Sequence, residues 1–277
     1  MALAGSAYRI VHAARLLLGK SDEAEVVRAG FKWALDLREG LDLAIYLTGY
    51  FQRAVVQSCL AKLPEGAIAL DIGANMGAFT LHMANAVGPH GKVIAIEPTC
   101  YPYQRLCRNL RSNPSLTGQV STLQAFLTAN PNESIPEALP SSWRLAGERK
   151  GAHPVHFGVP QATGGSRSLT LDQLAKEIDL QRLDLVKIDV DGAEDDVLAG
   201  GEKVLRQFKP DIIIEVAPYT LVERNLAPDA PLERLKKMGY CFQSLDGRKL
   251  DSTEIEGLMK LRPGQSRDIV ASYCDAK

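Results

Sequence analysis

From Ala67 onward, short apolar runs alternate with helix-length amphipathic segments, and this alternation limits the fold more than any other feature of the sequence. The apolar runs are residues 67–72, 93–96, 120–127, 183–190 and 212–216. Hydrophobicity that is continuous rather than alternating is typical of strands covered on both faces in a parallel sheet. The predicted fold class is therefore α/β, with a mostly parallel sheet and helices on both of its faces.

Three regions of the chain differ in character. Residues 1–65 predict a mainly helical N-terminal extension, and residues 66–277 predict one larger domain that contains the sheet. Inside this domain, residues 128–168 are rich in proline and glycine and longer than an ordinary connection. We expect this segment to be a loop or lid beside a bound acceptor.

The N-terminal extension begins with an apolar stretch, residues 1–18, which Arg9 and Arg15 interrupt. This pattern is typical of an amphipathic helix rather than a signal peptide. A second, long helix capped by Asp42 is expected to run as far as Pro64.

Charge and cysteine content exclude several classes of protein. Lys and Arg number 32 against 33 Asp and Glu, so the chain has no overall field that would attract a nucleic acid. No window has the roughly 18–20 consecutive apolar residues that a membrane-spanning helix needs. The five cysteines are scattered and indicate neither a disulfide framework nor a zinc site, which favours a reducing, cytoplasmic location.

The first apolar run leads into a glycine-containing turn, Asp71-Ile72-Gly73-Ala74-Asn75-Met76-Gly77, followed by residues with helical spacing. Glycines permit a sharp turn and a close approach of a ligand to the backbone. The G-x-x-x-G spacing differs from the G-x-G-x-x-G that seats a pyrophosphate, so a cofactor without phosphates fits better. The alternative is a strand-to-helix turn whose glycines only satisfy backbone geometry.

An acidic residue ends the second apolar run. Glu97 lies 24 residues beyond Gly73, close to the position where nucleoside-binding folds place an acid on the ribose hydroxyls. The alternative is a solvated acid at the end of a strand.

Charged residues are concentrated at the end of the run at 183–190. If this segment is extended, Lys187, Asp189 and Asp191 share one face. Asp189 would lie at the carboxyl end of the strand, where open α/β sheets bind ligands, and Lys187 could simply pair with a carboxylate. Glu194 could start the next helix, or could hold a divalent cation together with Asp189 and Asp191.

Two further sets of titratable residues are candidates. Glu215 ends the apolar run at 212–216, as a site residue or as a partner in a salt bridge or cap. His153 and His156 lie in the proline-rich segment and could act as a general base, although an exposed histidine is the commoner outcome.

Taken together, these residues resemble the FkbM-type family of S-adenosylmethionine-dependent methyltransferases. The matching stretches are residues 70–80, 96–98, 168–172, 186–194 and 214–215, within a similarity that covers about 31–273. The resemblance implies a seven-stranded class I methyltransferase sheet and S-adenosylmethionine as cofactor. It also implies cofactor-binding roles for Asp71, Gly73, Ala74, Asn75, Gly77 and Glu97. No residue is assigned to a metal, and the sequence does not define whether a divalent metal is needed.

We expect O-methylation of a hydroxyl on a sugar, glycan or secondary metabolite. An alkyl hydroxyl needs a base, for which Asp189 is the first candidate and Glu194 or a loop histidine the second, with Glu215 orienting the acceptor. The alternatives are an N-methyltransferase acting on a peptide or small amine, a cofactor-binding module without catalysis, and, more distantly, a dehydrogenase. The sequence does not define the oligomeric state.

Overall fold

A computed structural model describes residues 2–274, so Met1 of the predicted extension and residues 275–277 of the predicted larger domain lie outside it. The N-terminal part combines helices with an antiparallel hairpin. Its elements are α1 (Ala2–Leu17), β1 (Glu23–Arg28), β2 (Phe31–Asp36), α2 (Gly40–Thr48) and α3 (Arg53–Ala61).

The long helix expected up to Pro64 is instead two helices, α2 and α3. Gly49 ends α2 in a left-handed conformation, φ +87°, and Gln52 precedes α3 with φ +47°. Asp42 is not a cap. It is buried inside α2, where its carboxylate accepts a hydrogen bond from the Asp36 amide and pairs with Arg105.

The rest of the described chain alternates strands and helices as the sequence predicts. The strands are β3 (Ile68–Ile72), β4 (Lys92–Ile96), β5 (Val120–Leu123), β6 (Ala125–Leu127), β7 (Ala138–Ser142), β8 (Val159–Ala162), β9 (Arg167–Leu169), β10 (Leu185–Ile188), β11 (Asp211–Val216), β12 (Tyr240–Gln243) and β13 (Arg267–Tyr273). The helices are α4 (Thr80–Val87), α5 (Cys100–Ser112), α6 (Leu171–Glu177), α7 (Glu194–Gly200), α8 (Glu202–Phe208), α9 (Pro218–Glu223), α10 (Ala230–Lys237) and α11 (Ser252–Leu258), with a 3-10 turn at Pro114–Leu116.

Seven strands form the central sheet in the order β5-β4-β3-β10-β11-β13-β12. The pairings from β5 to β11 are parallel, whereas β13 is antiparallel to both of its neighbours. The prediction of an α/β fold with a seven-stranded, mostly parallel sheet is confirmed in these features.

Two hydrophobic clusters cover the two faces of this sheet, because successive side chains of a strand point in opposite directions. Ala69 of β3 packs with Leu81 and Leu106 on one face, whereas Leu70 packs with Leu198 on the other. The first cluster also contains residues of the N-terminal part, including Tyr8, Trp33, Leu37, Leu43 and Val55. The N-terminal part therefore adds a layer to the same core.

The segment predicted as a loop or lid at 128–168 is partly regular. β7 and β8 form an antiparallel hairpin, and β9 pairs in parallel with β6. The run at 120–127, expected as one strand, is divided at Gln124 between β5 in the central sheet and β6 in this second pair. The β7–β8 hairpin is therefore regular structure in a segment that the sequence predicted to be an irregular connection.

Cys241 and Cys274 form a disulfide, with their Cα atoms 5.7 Å apart, contrary to the expectation from their spacing. They are 33 residues apart in sequence, but β12 and β13 are antiparallel neighbours with Cys241 opposite Ser272. The strand register, which spacing alone does not reveal, brings the two thiols together. Among residues 2–274, no helix is long and apolar enough to cross a bilayer.

Candidate active site

Loops from four neighbouring strands meet at the carboxyl edge of the sheet, where they line a cavity of about 590 Å³. The four strands are β4, β3, β10 and β11, in their order in the sheet. Of the residues singled out in the sequence, those that line the cavity are Gly73, Ala74, Asn75, Glu97, His156, Asp189, Asp191 and Glu215. The volume lies in the range of about 300–1,000 Å³ that is usual for small-molecule and cofactor sites.

Gly73 permits contact between two backbone segments. It has φ +80°, and a Cβ atom built at this position would lie 1.8 Å from the carbonyl oxygen of Asp189. The amides of Gly73 and Ala74 both donate to the carbonyl oxygen of Ile96, at 3.0 Å each. The glycine turn is therefore held against the ends of both β10 and β4.

Glu97 holds the same turn from the side of β4. Its Oε2 accepts a hydrogen bond from the Asn75 amide at 2.9 Å, and its Oε1 accepts from the amide and hydroxyl of Thr99. Burial raises the pKa of Glu97, and these hydrogen bonds act in the opposite direction. A carboxylate can accept about four hydrogen bonds. Oε2 therefore retains one acceptor position beside the cavity.

Asp71 and Gly77 do not line the cavity, in contrast to the expectation for the whole motif. Asp71 is fully buried below the turn, where it accepts a hydrogen bond from the Thr80 hydroxyl at 2.5 Å. Gly77, with φ +93°, allows close packing, since a Cβ atom there would lie 2.9 Å from a methyl group of Leu106. Both residues support the turn from behind.

A buried lysine lies beneath the end of β10. The side chain of Lys187 is 1% exposed, and its Nζ lies 2.9 Å from Oδ2 of Asp189 and 4.2 Å from the ring centroid of Phe79. Burial by itself would lower the pKa of Lys187, but Asp189 and Asp71 raise it above its ordinary value. The structural interpretation of Lys187 as an ion-pair partner is confirmed.

Asp191 does not share a strand face with Lys187 and Asp189, because β10 ends at Ile188. Asp191 lies in the following turn with φ +50°. Burial raises its pKa well above the usual range, and the negative charges of Asp189 and Glu194 raise it further.

Two more carboxyl groups lie near Asp189, on the neighbouring strands β11 and β13. Glu215 of β11 is opposite Asp268 of β13 in the strand register, and it accepts a hydrogen bond from the Ser266 hydroxyl at 2.6 Å. Burial and the charge of Asp189 raise the pKa of both groups, that of Asp268 to about 7. Asp189 therefore differs from its acidic neighbours in having a direct lysine partner.

Glu194 begins α7, as expected, but its side chain does not line the cavity. Its Oε1 accepts hydrogen bonds from the amides of Val190 and Gly192, at 3.3 and 3.2 Å. It therefore stabilises the turn that carries Asp191. Across residues 2–274, no three or more His, Cys, Asp or Glu side chains are grouped so that they could hold a metal ion.

The β7–β8 hairpin and the N-terminal part close one side of the cavity. Glu39 accepts hydrogen bonds from the Ser142 hydroxyl at 2.8 Å and from Nε of Arg144 at 3.0 Å. The Asn75 side-chain amide donates to the carbonyl oxygen of Ser141 at 3.0 Å. The hairpin is thus bonded both to the N-terminal part and to the glycine turn.

Aromatic side chains from distant parts of the sequence complete the wall. Phe51, Trp143 and Tyr219 line the cavity with His156, whose ring stacks on that of His153 at a centroid distance of 4.0 Å. Burial and the neighbouring His153 lower the pKa of His156 to about 4. These three aromatic residues are not among the site residues that the sequence predicts, and for Trp143 the available signal was its position in the proline-rich segment.

The fold and the cavity define a Rossmann-like α/β protein with a cavity at the carboxyl edge of its sheet. The family model described as "Methyltransferase FkbM domain" matches residues 71–242. The chain therefore belongs to the FkbM methyltransferase family, as the resemblance implied.

Individual relatives are similar over different parts of the chain. "Methyltransferase sdnD" of Sordaria araneosa is 29% identical over 179 residues, which are 56% of this chain and 68% of that protein. "AMB antimetabolite synthetase AmbE" of Pseudomonas aeruginosa is 26% identical over 234 residues, 75% of this chain and 11% of the synthetase. This chain thus spans about a tenth of that relative.

Solved structures of methyltransferases are also similar. An FkbM methyltransferase from Methylobacillus flagellatus has a TM-score of 0.45 and 15% identity, over 76% of this chain and 44% of that one. The O-methyltransferase from Bacillus cereus, solved in complex with SAH, has a TM-score of 0.45 and 14% identity, over 97% of this chain and 91% of that one.

Proposed function

We propose that this methyltransferase transfers the methyl group of S-adenosylmethionine to a hydroxyl of a sugar, glycan or secondary metabolite. The observation that carries the proposal is the convergence of the glycine turn, Glu97 and Asp189 on one cavity. These three features come from three different strands, and each provides a different part of the chemistry.

The hydrogen bonds of the glycine turn favour a cofactor without phosphates. Phosphate binding at such a turn uses free backbone N–H groups. Here the amides of Gly73 and Ala74 donate to Ile96, the Asn75 amide donates to Glu97, and the Met76 amide donates to Oδ1 of Asn75. The turn has no free amide among these four residues, which argues against a dinucleotide and therefore against a dehydrogenase.

Glu97 is the proposed partner of the ribose. Its Oε2 has one acceptor position left, and a ribose hydroxyl is a suitable donor for it. Gly73, Ala74 and Asn75 would line the remainder of the cofactor site, with Asp71 and Gly77 supporting them from below. When bound, S-adenosylmethionine supplies an electrophilic methyl group, so the protein has to align the acceptor and remove its proton.

Asp189 is the proposed general base. It lines the cavity, and Nζ of Lys187 holds its Oδ2 at 2.9 Å, which leaves a carboxylate oxygen to accept the hydroxyl proton. Glu194 is displaced as a candidate because its carboxylate faces the turn. Glu215 also lines the cavity and remains the proposed residue that orients the acceptor. His156 is the second candidate base because it lines the same cavity.

The test is an Asp189→Asn variant in a methyl-transfer assay with labelled cofactor. We expect turnover to fall by about 100-fold or more, while the affinity for S-adenosylhomocysteine measured by calorimetry stays within about threefold. Asp246→Asn, in an exposed turn, is the matched control and should retain full activity. A fully active Asp189→Asn enzyme would remove Asp189 from the proposal and leave His156 as the base to test.

The acid-rich environment favours one second candidate, N-methylation of a peptide or small amine. Among the described residues, Asp191 and Glu215 line the cavity without a lysine partner of their own, and an amine acceptor could supply a positive charge there. Mass spectrometry of products formed from candidate glycans and candidate peptides separates the two reactions, because the methylated atom differs.

The proposed location is the cytoplasm. Three cysteines, Cys59, Cys100 and Cys107, are free, which suits a reducing compartment, whereas the disulfide between Cys241 and Cys274 suits an oxidising one. Thiol labelling of the protein isolated from fractionated cells decides between them. Recovery of the protein in the cytoplasmic fraction, with Cys59, Cys100 and Cys107 as reactive thiols, is the expected result.

A further inference from the structure

Helix α1 has an apolar face that no other described part of the chain covers. Leu3, Ile10 and Leu17 are 89%, 71% and 88% exposed. They are seven residues apart, so they form one nearly straight stripe along the helix. Two more leucines at its end, Leu16 and Leu18, are 65% and 71% exposed.

The opposite face of α1 is already attached to the core. Tyr8 is 7% exposed and belongs to the first hydrophobic cluster, with Val11 packed against it. The Tyr8 hydroxyl donates to Asp22 at 2.8 Å, and His12 lies 2.8 Å from the same carboxylate. The exposed stripe is therefore a second apolar surface on a helix whose core-facing side is occupied.

The charge around the stripe has one sign. Residues 1–21 contain no acidic side chain, and the first one, Asp22, is bonded to Tyr8 and His12. Arg9 and Lys20 are exposed. An exposed apolar stripe flanked by basic residues without acidic ones fits an anionic surface.

We propose that α1 binds in the plane of an anionic lipid bilayer, with Leu3, Ile10 and Leu17 inserted among the acyl chains and Arg9 and Lys20 at the headgroups. Amphipathic helices at a bilayer surface combine buried apolar area with attraction between basic residues and anionic lipids. A second copy of the chain fits less well, because pairing two such stripes would bring basic residues together with no acidic partner. The attachment is peripheral and reversible.

The experiment is sedimentation of the whole protein with vesicles of phosphatidylcholine alone and with vesicles that also contain phosphatidylglycerol. We expect binding to the anionic vesicles that weakens with salt. Combined replacement of Leu3, Ile10 and Leu17 by Ser should weaken it by at least about tenfold, since it removes the buried apolar area. Arg9→Gln or Lys20→Gln should each weaken it by about fivefold.

The matched control carries Ile178→Ser and Val222→Ser, two exposed apolar positions elsewhere, 42% and 56% exposed. This control should bind vesicles as the unaltered protein does, and circular dichroism should show the same helix content in all variants. The proposal is overturned if the protein does not bind the anionic vesicles, if it binds neutral vesicles equally well, or if the control loses as much binding as the stripe variant. It is also overturned if light scattering shows a dimer that the stripe substitutions convert to a monomer.

Discussion

Replacement of Lys187 by Met tests whether the buried ion pair below the cavity has the energetic role that its geometry indicates. Met is similar in length and apolar, so it can occupy the space beside Phe79 without a charge. The change leaves Asp189 without the cation at 2.9 Å, and Asp71 loses the positive charge that lowers its pKa. Two carboxyl groups are then left close together at the end of β10.

The expected loss in the free energy of unfolding is about 3–5 kcal/mol, the usual cost of removing one partner of a buried pair. For a chain of this size it corresponds to a fall in melting temperature of about 10 °C. Part of the loss is avoided if Asp71 takes up a proton, because its pKa is already raised by burial and Lys187 no longer lowers it, so the effect should increase as the pH rises.

Lys209→Met is the matched control for thermal and urea unfolding. Lys209 also lies over an aromatic ring, with Nζ 4.0 Å from the Tyr273 centroid, but it is exposed. Its replacement should cost about 1 kcal/mol or less. The double variant Lys187→Met with Asp189→Asn removes both charges of the pair and should regain at least half of the lost stability, while methyl transfer stays low.

Two results would refute this reasoning. One is a Lys187→Met protein as stable as the Lys209→Met control, because the pair would then contribute little. The other is a double variant no more stable than Lys187→Met alone, because the loss would then come from packing rather than from an unpaired charge.

Three further predictions concern other parts of the site. Gly73→Ala places a methyl group 1.8 Å from the Asp189 carbonyl oxygen, so it should reduce the affinity for S-adenosylhomocysteine by at least about tenfold. It should also cost more stability than Gly66→Ala, because Gly66 has a similar φ of +78° but open space around it. Glu97→Gln should weaken calorimetric binding of S-adenosylhomocysteine by about tenfold or more, since a charged acceptor is lost; unchanged binding would contradict the ribose role. Asp268→Asn should raise the melting temperature at about pH 8 but not at about pH 4. The pKa of Asp268 is about 7 in the folded protein and ordinarily 3.8, so the carboxyl group costs increasing stability as the pH rises from 3.8 through 7. The gain should be about 2 kcal/mol, below the limit of about 4 kcal/mol that the shift allows, and a gain at both pH values would contradict the titration.

The central strands were predictable because the burial of each strand is reflected in the hydrophobicity of its own residues. Strands covered on both faces are apolar at nearly every position, so the runs at 67–72, 93–96 and 212–216 identified β3, β4 and β11. The glycine turn was predictable for a similar reason, since φ +80° at Gly73 requires a particular residue at that point in the chain.

The direction of individual side chains was less predictable. Asp71 and Gly77 belong to the recognised motif but support the turn from behind, and Glu194 bonds the amides of its own turn. Neighbours in sequence do not specify which side of a turn faces a cavity. The hydrogen bond that Glu97 makes to the Asn75 amide links residues 22 positions apart, and the motif does not contain it.

The sequence by itself determined the fold class, the family and the position of the cofactor turn, because these depend on hydrophobicity and backbone conformation within short segments. Tertiary structure alone decided that Glu97 bonds the Asn75 amide, that Cys241 bonds Cys274, and that Phe51, Trp143 and Tyr219 share a cavity. Such contacts depend on strand order, register and the path of a hairpin, which arise when distant segments pack and leave little trace in local sequence.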